Sequence, residues 1–238
     1  MKNEMDVISL TKKLISFNTI NPPGQEYESA KYIGRLLEQG GYIVDYYELS
    51  PNRLSLVAKI DHTGNQNPIC LAGHLDTVPL GDLPWSTDHF NGHIEGDKIY
   101  GRGSTDMKGG IAAKIITALN LADKLKDNTK GLLLVFVAGE ETGCQGAYQL
   151  SELDVLNKAG AIIVGEPTSN YPLIGNKATL WLEAISSGKA AHGSTPELGV
   201  NAILKAAKAI NKIEDFNFDI PENKYLGNPT INIGKIQL

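Results

Sequence analysis

The chain has 238 residues, 42% hydrophobic and 21% charged, with a formal net charge of −5. That balance excludes a disordered tract, and the acidic excess argues against a nucleic-acid partner, whose binding surface carries basic charge. No apolar run reaches membrane-spanning length, and the opening MKNEMDVISLTKKL lacks the apolar core of a signal peptide, so no membrane partner and a cytoplasmic location are expected.

Residues 4–17 and 26–39 are predicted helices; in the second, Tyr27, Ala30, Ile33 and Leu37 recur at helical spacing and Gly40-Gly41 stops the pattern. Tyr42–Leu49 and Leu54–Ile60 are predicted strands joined by a Ser-Pro-Asn turn. HTGNQNP, with His62, is a loop, and Ile69–Ala72 opens a further strand. A small hairpin is expected around Glu95-Gly96-Asp97, then a helix over 110–125 with Ile111, Ile115, Leu119 and Ala122 on one buried face. His89 and His93 lie in this turn-rich stretch as surface residues. The runs GLLLVFVA (131–138) and AIIV (161–164) suit central strands covered on both faces. Cys70 in a strand and Cys144 in a distant loop form neither a disulfide framework nor a paired metal site, which fits a reducing compartment.

Strands alternating with helices predict an α/β fold over residues 1–175, a central mixed, largely parallel sheet flanked by helices. From residue 176 the pattern changes. A strand in ATLWLEAI, a polar loop, a helix with the stripe Val200, Ile203, Ala207 and Ile210, and an alternating strand in NPTINIGKIQL predict a second, α+β unit over 176–238, which the sequence leaves incomplete.

Three apolar strands end alike: Gly73 precedes His74 and Asp76, Gly139 precedes Glu140 and Glu141, and Gly165 precedes Glu166. If the strands are parallel, these ends open on one edge of the sheet, where α/β proteins place ligands. Asp106, in a glycine-bracketed loop before the 110–125 helix, joins them. Five carboxylates so gathered would repel one another and retain protons unless a cation lay between them. A histidine among carboxylates suits zinc, manganese or cobalt better than magnesium or calcium. Each feature has a bland counterpart: a lone strand-end histidine is ordinarily just hydrogen-bonded, and a Glu-Glu pair is ordinarily solvated. It is the coincidence of three strand ends with Asp106 that points to a metal. GRGSTDMKGG fits neither phosphate-binding glycine pattern, and no GxSxG elbow is present.

The motifs GHLDTVP, IYGRGSTDMKGG, AGEETGCQGA, GEPT and GKAAHGSTPELGVNAI stand in the order found in the acetylornithine deacetylase, succinyl-diaminopimelate desuccinylase, aminoacylase and carboxypeptidase family of zinc hydrolases, which the chain resembles over nearly its whole length. The resemblance implies a zinc-hydrolase catalytic domain with a lid that mediates homodimerisation. By motif position it implies that His74 and Glu166 bind one zinc, Glu141 binds a second, and Asp106 bridges both, with a cis bond between Asp106 and Met107. Asp76 would orient His74, Glu140 would be the general base, and His192 in the lid would stabilise the oxyanion. The resemblance further implies hydrolysis of an N-acyl amino acid of acetyl or succinyl type by a zinc-activated water, cobalt or manganese being able to substitute. A dipeptidase or carboxypeptidase is the alternative within the family, and an inactive fragment or non-catalytic dimerising protein the alternative outside it. The family pattern has a last histidine for the second zinc, and no histidine follows His192, so one metal is expected to bind firmly and the other weakly or not at all.

Overall fold

The first helix, α1 (Val7–Ile15), starts where the Asp6 carboxylate accepts a hydrogen bond from the Ser9 amide at 2.8 Å, satisfying a donor that a helix N-terminus leaves unpaired. The structure is a computed structural model that describes residues 5–60, 66–125, 130–156 and 159–237. The loop around His62 therefore lies largely outside the described residues, as do Glu4 and Leu238.

Helix α2 (Tyr27–Gln39) ends in a tight reversal. Gly41 adopts a φ of +86°, its amide donates to Glu38 O at 3.0 Å, and the Tyr42 amide donates to Leu37 O at 3.0 Å. A Cβ at Gly41 would meet nothing within 4 Å, so a substitution there isolates the backbone cost. Gly41→Ala is expected to destabilise the fold by about 1–2 kcal/mol, measured as a shift in the denaturant midpoint at constant slope.

Strands β1 (Ile43–Ser50), β2 (Arg53–Lys59) and β3 (Ile69–His74) follow, then the hairpin β4 (His93–Glu95) and β5 (Lys98–Tyr100). An irregular turn at Ser104–Lys108 contains a cis bond between Asp106 and Met107 and leads into α3 (Gly109–Leu121). Strand β6 (Leu132–Val137), helix α4 (Gln145–Glu152) and β7 (Ala161–Val164) complete the layer. The sheet order is β1-β2-β6-β3-β7. The β1–β2 and β2–β6 pairs are antiparallel, whereas β3 runs parallel to both β6 and β7. The sheet is mixed and flanked by helices, as the sequence predicts, but two of its four pairings are antiparallel, so it is not largely parallel.

Helices α1, α2 and α3 cover one face, packing Leu10, Ile33, Leu37, Ile111 and Ile115 against Leu56, Leu134 and Phe136. On the other face Leu150 of α4 meets Val57, Cys70, Leu133 and Val135. Strand β6 is buried at every position, as a strand covered on both faces must be. AIIV is different. It forms β7, which pairs only with β3 among the described strands, and Ile163 is 53% exposed. An apolar run reports suitability for burial, not the presence of a covering layer.

The chain divides into two units, Met1–Asn170 and Tyr171–Leu238. In the second, α5 (Ala202–Glu214) starts at Asn201, whose side chain accepts from the Leu204 amide at 3.0 Å. Its less exposed positions are Ala202, Ala206, Ile210 and Ile213, so the expected stripe is rotated and only Ile210 is retained. The described residues contain no strand at 178–185 or at 228–237, contrary to the sequence expectation. Alternation supplies a side-chain pattern, but a strand also needs a neighbouring ladder.

Candidate metal centre

Because β3 is parallel to β6 in the register His74↔Val137, and to β7 with Ala72↔Val164, the three strands release their following residues at one edge. The glycines do different work there. Gly139, at φ +75°, turns the chain, whereas Gly73 stays within β3 and leaves room for Met107, whose Cε would lie 2.9 Å from an added Cβ. Met107 Sδ also accepts from the His74 amide at 3.2 Å.

His74 is 2% exposed and its ring is held from one side. Nδ1 lies 2.9 Å from the backbone oxygen of Asp76, an atom that can only accept, so Nδ1 carries a proton. The Asp76 carboxylate is further from Nδ1, at 3.6 Å. Nε2 faces outward, 3.0 Å from Asp106 Oδ1 and 3.8 Å from Glu166 Oε1. A neutral imidazole would there oppose its lone pair to carboxylate oxygens. The arrangement calls for a proton or a metal ion between Nε2 and these oxygens.

Asp76 organises the opposite wall. Its Oδ1 accepts from the Glu140 amide at 3.0 Å, and its Oδ2 accepts from the Glu141 amide at 3.1 Å and from Asn21 Nδ2 at 2.8 Å. Burial works against the carboxylate form of Asp76, but His74 beside it and these donors hold its pKa below the usual range. Glu141 is pushed up to about 7, first by burial and then, against the pull of His74, by the Asp106, Glu140 and Asp76 carboxylates. Glu166 is also raised, chiefly by burial. The crowding inferred from sequence is therefore present among side chains.

Among the described residues, candidate ligand atoms form two groups, each lying within 4.8 Å: His74, Asp106 and Glu166, and His74, Glu140 and Glu141. The first is the set expected for one ion; the second shares His74, whereas the family pattern shares Asp106. One nitrogen with several carboxylate oxygens is a donor set that fits a divalent cation. In the metal-free protein burial would lower the His74 pKa, but Asp76, Glu166 and Glu140 outweigh it and raise it to about 9. Metal binding at neutral pH must therefore expel that proton. Titration calorimetry in two buffers of different ionisation enthalpy should show about one proton released per ion at pH 7. Apparent affinity should rise about tenfold per pH unit from pH 7 and flatten above the His74 pKa.

His192 belongs to the second unit, where its Nδ1 accepts from the Ser194 amide at 3.2 Å and lies 2.7 Å from Ser194 Oγ. In the neutral ring the proton then sits on Nε2.

Several side chains escaped the sequence reading. Asn21 and Thr142 meet beside Asp76, Nδ2 to Oγ1 at 2.8 Å, although no spacing links them. Lys108 is buried and donates to Phe17 O at 2.7 Å, its pKa lowered by burial to about 7. Lys114 donates to Ala72 O, and burial lowers its pKa to about 8. Lys114 was findable: it falls in helical phase with Ile111, Ile115 and Ala118, inside the apolar stripe.

The model for peptidase family M20/M25/M40 matches residues 70–223. A succinyl-diaminopimelate desuccinylase of Wolbachia sp. subsp. Brugia malayi is 36% identical over 235 residues, covering 93% of this chain and 57% of that protein. A probable carboxypeptidase of Aspergillus clavatus is 34% identical over 226 residues, 89% of this chain and 53% of that one. Among solved structures, a tripeptidase of Staphylococcus aureus aligns with a TM-score of 0.61 at 21% identity, over 88% of this chain and 56% of its own, a likeness of fold. This chain spans little more than half the length of the curated relatives it matches. The matched segment takes in every carboxylate gathered around His74, and on that segment and those relatives the chain belongs to peptidase family M20/M25/M40.

Proposed function

We propose that the chain carries the metal-binding part of a hydrolase that cleaves the amide bond of an N-acyl amino acid of acetyl or succinyl type. The observation that carries this is the orientation of His74: Nδ1 is committed to the Asp76 backbone oxygen, and Nε2 is turned to Asp106 and Glu166, where a metal ion would meet one nitrogen and two carboxylates. The succinyl-diaminopimelate desuccinylase relative supports the acyl amino acid class.

In this proposal His74, Asp106 and Glu166 would hold one divalent ion, zinc by preference, with cobalt or manganese able to replace it. Asp106 and Glu141 contribute to a second. When bound, such an ion supplies the positive charge that acidifies a water and polarises the scissile carbonyl. Glu140 would take a proton from the attacking water and return it to the departing amine. Asp76 fixes the turn from which Glu140 and Glu141 project and keeps His74 in its tautomer. His192, with its proton on Nε2, offers a donor to the oxyanion. Residues 1–175 are the catalytic portion and residues 176–238 belong to the lid through which family members would pair as homodimers.

The test is metal content by elemental analysis, followed by a panel of N-succinyl and N-acetyl amino acids and dipeptides with added zinc or cobalt. Release of a free amino acid from the acyl substrates supports the proposal. Turnover of dipeptides alone would favour the second reading, a metallopeptidase, for which the carboxypeptidase relative speaks. No divalent metal bound and no turnover would overturn both.

A further inference from the structure

Asn21 is 3% exposed and lies far in sequence from every residue of the metal centre, yet it touches the centre's supporting wall. Its Nδ2 donates to Asp76 Oδ2 at 2.8 Å and to Thr142 Oγ1 at 2.8 Å. The carboxylate can only accept, so the amide orientation is fixed by chemistry, and one amide hydrogen is available for each partner. Asp76 Oδ2 is also the acceptor for the Glu141 amide, while Oδ1 takes the Glu140 amide. Asn21 thus grips the carboxylate that in turn grips the backbone from which both glutamates leave.

The grip is itself braced. The Asn21 amide donates to Thr77 O at 2.8 Å, Thr77 N donates to Thr19 O at 3.0 Å, and Thr19 Oγ1 donates to Leu75 O at 2.7 Å, so residues 19–21 run beside the continuation of β3. On the far side Thr142 Oγ1 has Gln145 Oε1 at 3.5 Å as its acceptor. Gln145 Oε1 also accepts from Arg53 Nη1 at 2.9 Å. Arg53 makes a two-point contact with the fully buried Glu26, Nη2 to Oε1 at 2.9 Å and Nε to Oε2 at 3.3 Å. A continuous polar chain therefore leads from a buried ion pair to the base of the metal centre, with Asn21 as the member that touches Asp76.

We propose that Asn21 is a positioning residue, whose carboxamide holds Asp76 and through it aims Glu140 and Glu141 toward His74. The inference rests on the proposed metal-dependent hydrolase. A loop staple would need only the backbone bonds of residues 19–21, whereas positioning needs the Nδ2 donors.

Asn21→Asp separates the two, because it keeps the shape, removes both donors and sets a carboxylate against Asp76. Asn21→Ala removes the donors without adding charge and serves if the aspartate variant does not fold. Thr142→Val leaves the Asp76 contact in place. Two readouts apply to the full chain: amide hydrogen exchange in the metal-free protein, and Co2+ affinity by calorimetry. Asn21→Asp should raise exchange at the Glu140 and Glu141 amides by about tenfold or more while the β6 amides keep their protection. It should weaken Co2+ binding by about 10–100-fold. Asn21→Ala should follow in the same direction, and Thr142→Val, which removes the brace but keeps the Asp76 contact, should change each readout less than Asn21→Asp does. Unchanged exchange at residues 140 and 141 would overturn the inference, as would faster exchange with Co2+ affinity unmoved. If the parent protein itself binds no Co2+, the hydrolase proposal fails, and the exchange result alone decides whether Asn21 positions this turn.

Discussion

Replacing Glu140 by glutamine should lower kcat about 10²–10⁴-fold while KM and metal content stay close to those of the parent protein. Glutamine keeps the volume and can still accept a hydrogen bond, but it cannot take a proton. The Glu140 amide would remain anchored on Asp76 Oδ1 at 3.0 Å, and the Glu141 amide on Oδ2 at 3.1 Å, so the turn should survive the change. A general base contributes only as the water is deprotonated, which places the loss in kcat rather than in substrate binding. The companion Glu141→Gln should behave differently, lowering metal content before it lowers turnover per bound ion. Steady-state kinetics paired with elemental analysis on both variants makes the comparison. If Glu140→Gln loses metal while Glu141→Gln retains metal and loses turnover, the two glutamates have exchanged roles. That outcome is physically open because consecutive residues on one turn project in different directions from a shared anchor. The Cys144 thiol beside Glu140, Sγ to Oε1 at 3.5 Å, is a contact that Glu141 does not share, and it gives the variants a structural asymmetry to report on.

Much of this centre was legible because its chemistry is written at strand ends. A run such as LLLVFVA can be placed in a sheet by composition, and the residue after its glycine then has little choice of location. Parallel pairing of β3 with β6 and β7 brings His74 to the same edge as Glu140, Glu141 and Glu166. Asp106 was reachable through its glycine-bracketed loop and the family motif. What escaped are groups whose importance depends on third partners. Asn21 looks like a turn residue before two prolines, and nothing local records that Asp76 and Thr142 will be its neighbours. Lys108 reads as surface until the turn at Ser104–Lys108 drives it inward to the Phe17 carbonyl. The second unit failed for a related reason. NPTINIGKIQL has the alternation of a strand, but strand formation depends on hydrogen-bond partners that alternation does not specify. The shift of the α5 stripe to Ala202, Ala206, Ile210 and Ile213 shows the same dependence on what packs alongside.

Substituting His74 by alanine should abolish tight divalent-metal binding, weakening it by more than about 100-fold, since even residues that merely support a ligand are worth 10–100-fold. His74 is common to both groups of candidate ligand atoms, whereas Asp106 and Glu166 occur only in one and Glu140 and Glu141 only in the other. In the proposed assignment Glu166 serves one ion with His74 and Asp106, so Glu166→Gln should weaken binding of the same ion as His74→Ala and spare the Asp106 and Glu141 contribution to a second. Calorimetric titration with Co2+ and elemental analysis after dialysis give the two measurements. A second readout separates loss of a ligand from loss of the fold. In the metal-free protein the His74 pKa lies near 9, above the ordinary histidine value of 6.5. A group whose pKa is raised on folding contributes stability that is fully present below its unfolded pKa and is lost as pH rises through its folded pKa. The pH-dependent part of the destabilisation by His74→Ala should therefore be largest near pH 6 and should vanish above the folded His74 pKa, measured by denaturant unfolding across that range. A variant equally destabilised at all pH values would show that the imidazolium makes no net favourable interaction with Asp76, Glu166 and Glu140. The carboxylates would then not be crowded enough to call for a cation, and the metal assignment would lose its electrostatic basis. Retention of parent-like Co2+ affinity by His74→Ala would defeat it more directly, because Nε2 would then have no part in holding the ion.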